Sequence, residues 1–413
     1  MAEINNFIMK ELQELLENYL TKSSCEDLIN MLATGTSMHI TSENVLSDSD
    51  KDNLEYELQN GINHRIILDK VITYSSNLLP KEKYYRLMLE ISQLMFFAGE
   101  ISYSLEIAED LLSQIQSERD QESIMAETNL MISKIYWAQA YWEDCKYYVS
   151  EAKKIYKSLN SKSGLAKCEN MLGTFYGERG EFNEAENHLE KALEYLNTED
   201  DLSLRSMIFT NLGIINTINK DYEKAIWNYK NASNTFNALN DTRRLARVYH
   251  NIGMLYSKME NYDAALDEFN KCITLSLEND YISNCAVAYI GKAFIYVKLK
   301  NQALAEAYTD KAMQLAYKLN DTLSIADIYK VKGMIQNDLN NFELSEEMFE
   351  NSIRLNKDID SKLNEAESSI QMVELLKKSN RVSEAKPYLE TAQTFFNGLK
   401  SEKKTAGLVE LSI

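Results

Sequence analysis

Proline occurs twice in this chain of 413 residues and glycine 13 times. With so few helix breakers and so few residues suited to special dihedrals, an all-helical chain is expected. Cysteine is sparse and unpatterned: Cys25, Cys145, Cys168, Cys272 and Cys285 form no C-x-x-C pair. That excludes a disulfide scaffold and a zinc ribbon and points to a reducing compartment. No run of 18 apolar residues occurs, so no membrane insertion is expected. The opening residues, MAEINNFIMKELQELL, lack the basic and continuous apolar segments of a signal peptide, and a cytoplasmic location follows as the expectation.

Positive charge is short as well. Lys and Arg number 44 against 63 Asp and Glu, a formal net charge of −19. A nucleic-acid partner needs a basic face to displace counterions, so none is expected. Catalytic signatures are missing: there is no phosphate-binding G-x-x-x-x-G-K-[ST], no H-E-x-x-H, no G-x-S-x-G and no glycine-rich dinucleotide turn. His39, His64, His188 and His250 lie in separate elements without metal-ligand spacing. No catalytic residues, no cofactor and no metal are therefore expected. Paired carboxylates such as Glu346-Glu347 read as solvated faces, and Asp200-Asp201 as a helix cap.

What is present is repetition. Gly253 has counterparts at Gly173, Gly213 and Gly333, each displaced by multiples of 40. Tyr262 is matched by Phe182, Tyr222 and Phe342, Ala265 by Ala185, Ala225, Ala305 and Ala385, and Ala246 by Ala166, Ala286, Ala326 and Ala366. A fixed period of this length indicates a solenoid whose core grows in one dimension. Strict register starts near Gln121, and about eight helix pairs are expected over 81–400. Capping residues mark the junctions at Asp200-Asp201, Asn240-Asp241, Asn320-Asp321 and Asp360-Ser361. The unit at 281–320 departs from the pattern, with Ala293 in the glycine column and Gln302 in the aromatic one. Residues 1–80 fall outside the period and read as an N-terminal helical cap, with a mobile loop at 34–50. The tail, 401–413, reads as frayed.

Leu212-Gly213, Tyr222, Ala225 and Ala232, and again Ile252-Gly253, Tyr256, Tyr262, Ala265 and Cys272, resemble the tetratricopeptide repeat. The longer period resembles the subclass that includes kinesin light chain, the LGN/Pins polarity adaptors and bacterial Rap-type peptide receptors. The resemblance implies a right-handed superhelical solenoid with first helices on its concave side. It also implies a protein or peptide partner in that groove.

On a first helix, positions i, i+4 and i+7 share a face. That places Met207, Asn211 and Ile214 together, then Arg247, Asn251 and Met254 with His250 beside them, then Phe294. Asn211 and Asn251 lie where members of the resembled subclass hold the backbone of an extended peptide. An amide side chain offers both a donor and an acceptor, as a neighbouring strand would. The expected function is a non-enzymatic peptide-binding scaffold or adaptor. The alternative is a Rap-like signalling regulator whose N-terminal bundle is switched by a bound peptide. The oligomeric state stays open, a homo-oligomer included.

Overall fold

The computed structural model describes residues 11–25, 27–28, 64–116, 118, 120–139, 141–196, 201–279, 281–319 and 321–402. The 34–50 loop, the apolar positions Phe7, Ile8, Leu54, Leu58 and Ile62, and the end of the tail lie outside these residues. All regular structure among the described residues is helical. The chain divides into two compact units, Met1–Leu159 and Asn160–Ile413.

The first unit holds a helical stretch over residues 11–17, then α1 (His64–Leu78), α2 (Lys81–Phe97), α3 (Ile101–Ile115), α4 (Glu122–Ala138) and α5 (Trp142–Ser158). Pro80 precedes α2, where its missing N–H costs nothing. Leu12, Leu16, Leu20 and Leu28 are buried in one core with Leu68, Val71, Met88 and Ile91. Tyr19 donates a hydrogen bond of 2.7 Å to the Glu90 carboxylate, tying the early stretch to α2. Helices α2 and α3 meet through small residues. The Ser92 hydroxyl donates to the Ser104 carbonyl at 2.8 Å, and the Ser104 hydroxyl donates back to the Ser92 carbonyl at 2.7 Å.

The second unit runs through α6 (Lys162–Glu178), α7 (Phe182–Tyr195), α8 (Leu202–Ile218), α9 (Tyr222–Ala238), α10 (Thr242–Lys258), α11 (Tyr262–Glu278), α12 (Ile282–Lys298), α13 (Gln302–Lys318), α14 (Thr322–Asp338), α15 (Phe342–Asp358), α16 (Lys362–Lys378) and α17 (Lys386–Glu402). They pack as consecutive pairs, and each first helix also touches the next first helix.

A recurring turn spaces them. At Lys220, Asn240, Glu260, Lys300, Asn340 and Asp360 the backbone turns left-handed, with φ between 52 and 63°. The following amide then bonds back five residues, as Asp221 N–H does to the Asn216 carbonyl and Asn261 N–H to that of Tyr256, both at 2.9 Å. This closes the orphan carbonyls of each helix end. The next side chain opens the following helix: Asp201, Asp241 and Asp321 accept from the amides of Leu204, Arg244 and Ser324. Asp221, Asn261 and Asn301 do so for second helices. Ser361 has no side-chain cap bond. In the last unit a 3₁₀ turn, Val382–Ala385, precedes α17, and Pro387 sits in the first turn of that helix.

The glycine column has one mechanical role. A Cβ on Gly213 would meet the Tyr229 ring at 2.5 Å, one on Gly253 the Phe269 ring at 2.6 Å, and one on Gly333 the Phe349 ring at 2.5 Å. Each of these first helices leaves out a side chain so that a large residue sixteen positions on can lie against its backbone. Where the column holds Ala293, the facing residue is Thr309, which is fully buried. The irregular unit thus trades a glycine–aromatic contact for one between two smaller side chains. Phe269 is held on a second side too, since a Cβ on Gly291 would lie 2.4 Å from its ring.

Candidate peptide-binding face

The repeat register puts Arg247, His250, Asn251 and Met254 on consecutive turns of α10 and their counterparts on α8 and α12. Met207 is partly buried against the core that contains Phe209 and Leu212. Ile214 is 37% exposed. Met254 and Phe294 are partly buried and pack on one cluster built around Phe269, so α10 and α12 share an apolar floor. The Lys298 ammonium lies 5.2 Å from the Phe294 ring centre, covering its outer side.

The two asparagines behave differently. Asn211 donates to the Asn170 side-chain oxygen at 3.0 Å and to the Thr174 hydroxyl at 3.2 Å. Its amide nitrogen therefore binds α8 to α6, a structural role the sequence pattern did not reveal. The Asn251 amide nitrogen is buried and makes no hydrogen bond with the protein. His250 Nδ1 is in the same position, with its ring 5.6 Å from that of Phe269. Buried polar atoms without a partner are costly, and these two give α10 hydrogen-bonding capacity in reserve. Burial, with a smaller contribution from Arg247, pushes the His250 imidazolium down to about 3, so the ring is neutral at ordinary pH.

Arg247 is exposed and has no ion-pair partner among the described residues. Glu178 at the end of α6 is close enough for its charge to be felt. Glu178 reaches solvent, yet protein surrounds it closely enough that burial raises its carboxyl above the usual value, with Arg247 acting the other way.

The same columns carry a charge cluster further along. The Lys330 ammonium lies 2.9 Å from Asp327 and 3.0 Å from Glu367, with only 12% of its side chain exposed. Glu367 also lies 3.6 Å from Lys258 at the end of α10. Burial alone would raise the Glu367 carboxyl, but Lys330 and Lys258 outweigh it and bring it down to about 2. Burial would lower the Lys330 ammonium, and Asp327 and Glu367 hold it above its ordinary value instead. Asp327 and Glu367 occupy the Arg247 column, Lys330 the His250 column, and Lys258 the Glu178 column. Charged residues recurring in groove columns were the available signal for this cluster. Val331, Met334 and Gly291, from the same face, are buried in the packing between helices.

Residues 204–278 match the tetratricopeptide repeat, and so do residues 165–195. These units are tetratricopeptide repeats. The reading from the glycine, aromatic and alanine columns is thereby borne out. Among solved structures, a Rap protein complexed with competence and sporulation factor is similar at 14% identity and a TM-score of 0.60, covering 97% of this chain and 100% of that one. Aspartyl phosphate phosphatase F from Bacillus subtilis is similar at 14% identity and a TM-score of 0.56, over 95% and 98% of the two chains. The apo quorum sensor NprR from B. thuringiensis gives 15% identity and a TM-score of 0.52, over 91% and 98%. At such identities the likeness is one of fold. No curated protein matches the sequence. Among the described residues, no helix is long and apolar enough to cross a membrane, and no group of three or more His, Cys, Asp or Glu is placed to hold a metal ion.

Proposed function

We propose that the second unit is a non-enzymatic peptide-binding module whose ligand lies extended along the first helices, centred on α10. The observation that carries this reading is the unpartnered Asn251 amide nitrogen beside an exposed Arg247 that has no ion pair. Asn251 pairs with a backbone amide of the ligand, and Arg247 takes an acidic side chain or a terminal carboxylate. Met207, Ile214, Met254 and Phe294 receive apolar side chains, and His250 lines the same wall as a neutral ring. Asn211 contributes its carbonyl oxygen, because its donors are already engaged.

The test is calorimetric titration of wild type, Asn251→Ala and Arg247→Met against a partner recovered from native lysate. A lost hydrogen-bond pair that leaves a peptide amide unpaired costs about 1–3 kcal/mol, roughly a 5- to 150-fold loss of affinity. Equal affinities for all three folded proteins would move the site off α10.

A second reading is supported by the fold likeness to a Rap protein bound to competence and sporulation factor, which extends over nearly the whole chain. In that reading the module is a signalling regulator, and the bound peptide changes what the N-terminal unit contacts. A small secreted-peptide gene adjacent to this one would favour it, and a pull-down that returns only structural proteins would count against it.

A further inference from the structure

Ion pairs such as Lys300–Asp338, Lys330–Glu367 and Arg381–Glu346 link residues one unit apart. The Lys258–Glu367 pair does not. Lys258 ends α10 and Glu367 lies on α16, three units later, and the charged atoms are 3.6 Å apart. The anchorage is asymmetric. Glu367 is fixed from its own side by Lys330, whose ammonium is held between Glu367 and Asp327. Lys258 reaches across with 55% of its side chain exposed. The result is a well-held acidic post on one side and an exposed cationic arm on the other. In a solenoid each unit touches only its neighbours, so the separation between distant units follows from accumulated small rotations and is soft. A contact three units apart therefore restrains a degree of freedom that contacts between neighbouring units leave soft.

We propose that the Lys258–Glu367 ion pair is a bar across the open side of the first helices, holding α10 and α16 together and setting the width of the face between them. On the peptide-binding reading above, the bar also limits how fast a ligand reaches α12 and α14. The bar itself does not depend on that reading.

The experiment is a distance measurement in the ligand-free full chain. Spin labels are placed at Met259→Cys and Glu374→Cys, both exposed positions. Cys25 is replaced by serine, and the other native cysteines are buried. Pulsed electron resonance is recorded for this background, for Glu367→Gln and for Lys258→Met. Lys258→Met removes only the arm and leaves the Lys330 cluster whole, so it controls for damage to α14 and α16. The expected result is a longer, broader distance distribution in both variants, shifted by several ångström. Raising salt toward 1 M, where the Debye length falls to about 3 Å, should lengthen the wild-type distance and leave Lys258→Met unchanged. An unchanged distance in Lys258→Met overturns the proposal, even if Glu367→Gln shifts, because that effect would then come from Lys330. The association rate of the recovered partner separates the two claims. A longer distance with an unchanged rate supports the bar and refutes the placement of the ligand beneath it.

Discussion

Phe269 lies between two glycines on different helices, and that arrangement sets a measurable stability. A methyl group on Gly253 would stand 2.6 Å from the ring, and one on Gly291 would stand 2.4 Å from it on another side. Carbon atoms in contact prefer about 3.5–4.0 Å. The ring would have to retreat by roughly 1 Å for either substitution, but each glycine blocks the retreat required by the other. Phe269 is fully buried and has no free direction. Overpacking of this kind costs about 1–3 kcal/mol. Alanine recovers up to about 1 kcal/mol of helix propensity. Gly253→Ala and Gly291→Ala are therefore each expected to lose about 1–2 kcal/mol, and Gly253→Leu more. Gly177→Ala is the control. Its added methyl would meet Ile215 at 3.5 Å and Ala185 at 3.9 Å, which are ordinary contacts, so this variant should be neutral or slightly stabilised. Urea melting followed by circular dichroism gives the midpoints, and hydrogen exchange localises the loss to α10, α11 and α12. Phe269→Leu should relieve the clash, so a double-mutant cycle with Gly253→Ala should show coupling of about 1 kcal/mol. If Gly253→Ala melts with Gly177→Ala, or the cycle shows no coupling, the ring is not confined as described.

Three further results are expected. His250 titrates near 3 when folded against an ordinary 6.5, so the unfolded chain takes up a proton first. The stability from a neutral His250 is fully present above pH 6.5 and is lost as pH falls toward 3. Wild type should lose about 1 kcal/mol more than His250→Gln between pH 7.5 and 5.5, and parallel pH profiles would refute this. Glu260 holds a left-handed backbone with φ 59°. Glu260→Gly removes a penalty of about 1–2 kcal/mol against an entropic cost of about 0.5–1, so its urea midpoint should rise. Asn211→Ala should destabilise by about 1 kcal/mol through its two lost bonds to α6, whereas Asn251→Ala should leave stability unchanged or improved. Equal melting of those two variants would contradict the different roles assigned to them.

Much of the architecture was readable because each repeat column answers to one steric demand. Gly213, Gly253 and Gly333 recur since each faces a large ring, and Ala293 could be present since Thr309 is small. Capping at Asp201, Asp241 and Asp321 was readable for the same local reason. The left-handed turns at Lys220, Glu260 and Lys300 were not, because their side chains carry no preference for that conformation and the neighbouring helices impose it. On the candidate face, the pattern identified positions but not partners. Asn211 and Asn251 occupy one column, yet only the residues of the preceding first helix, Asn170 and Thr174, determine which amide is engaged. The Lys258–Glu367 pair was least legible, since its geometry depends on rotations summed over three units.

The alternation of ring and gap along the stack has a consequence for recombination. A unit such as 241–280 does not carry a self-contained interior: Phe269 needs Gly253 from its own first helix and Gly291 from the next unit's. The natural cassette is offset from the helix pair, and its boundaries run through the contacts rather than through the turns. A chimaera that joins α11 to a first helix with alanine or a larger residue at the Gly291 position would keep the period, the caps and the aromatic column. It would still bring a methyl group onto a ring that cannot move. Shuffled or duplicated arrays built from this chain should therefore succeed when α11 and α12 travel together, and should lose their cooperative melting when they are separated.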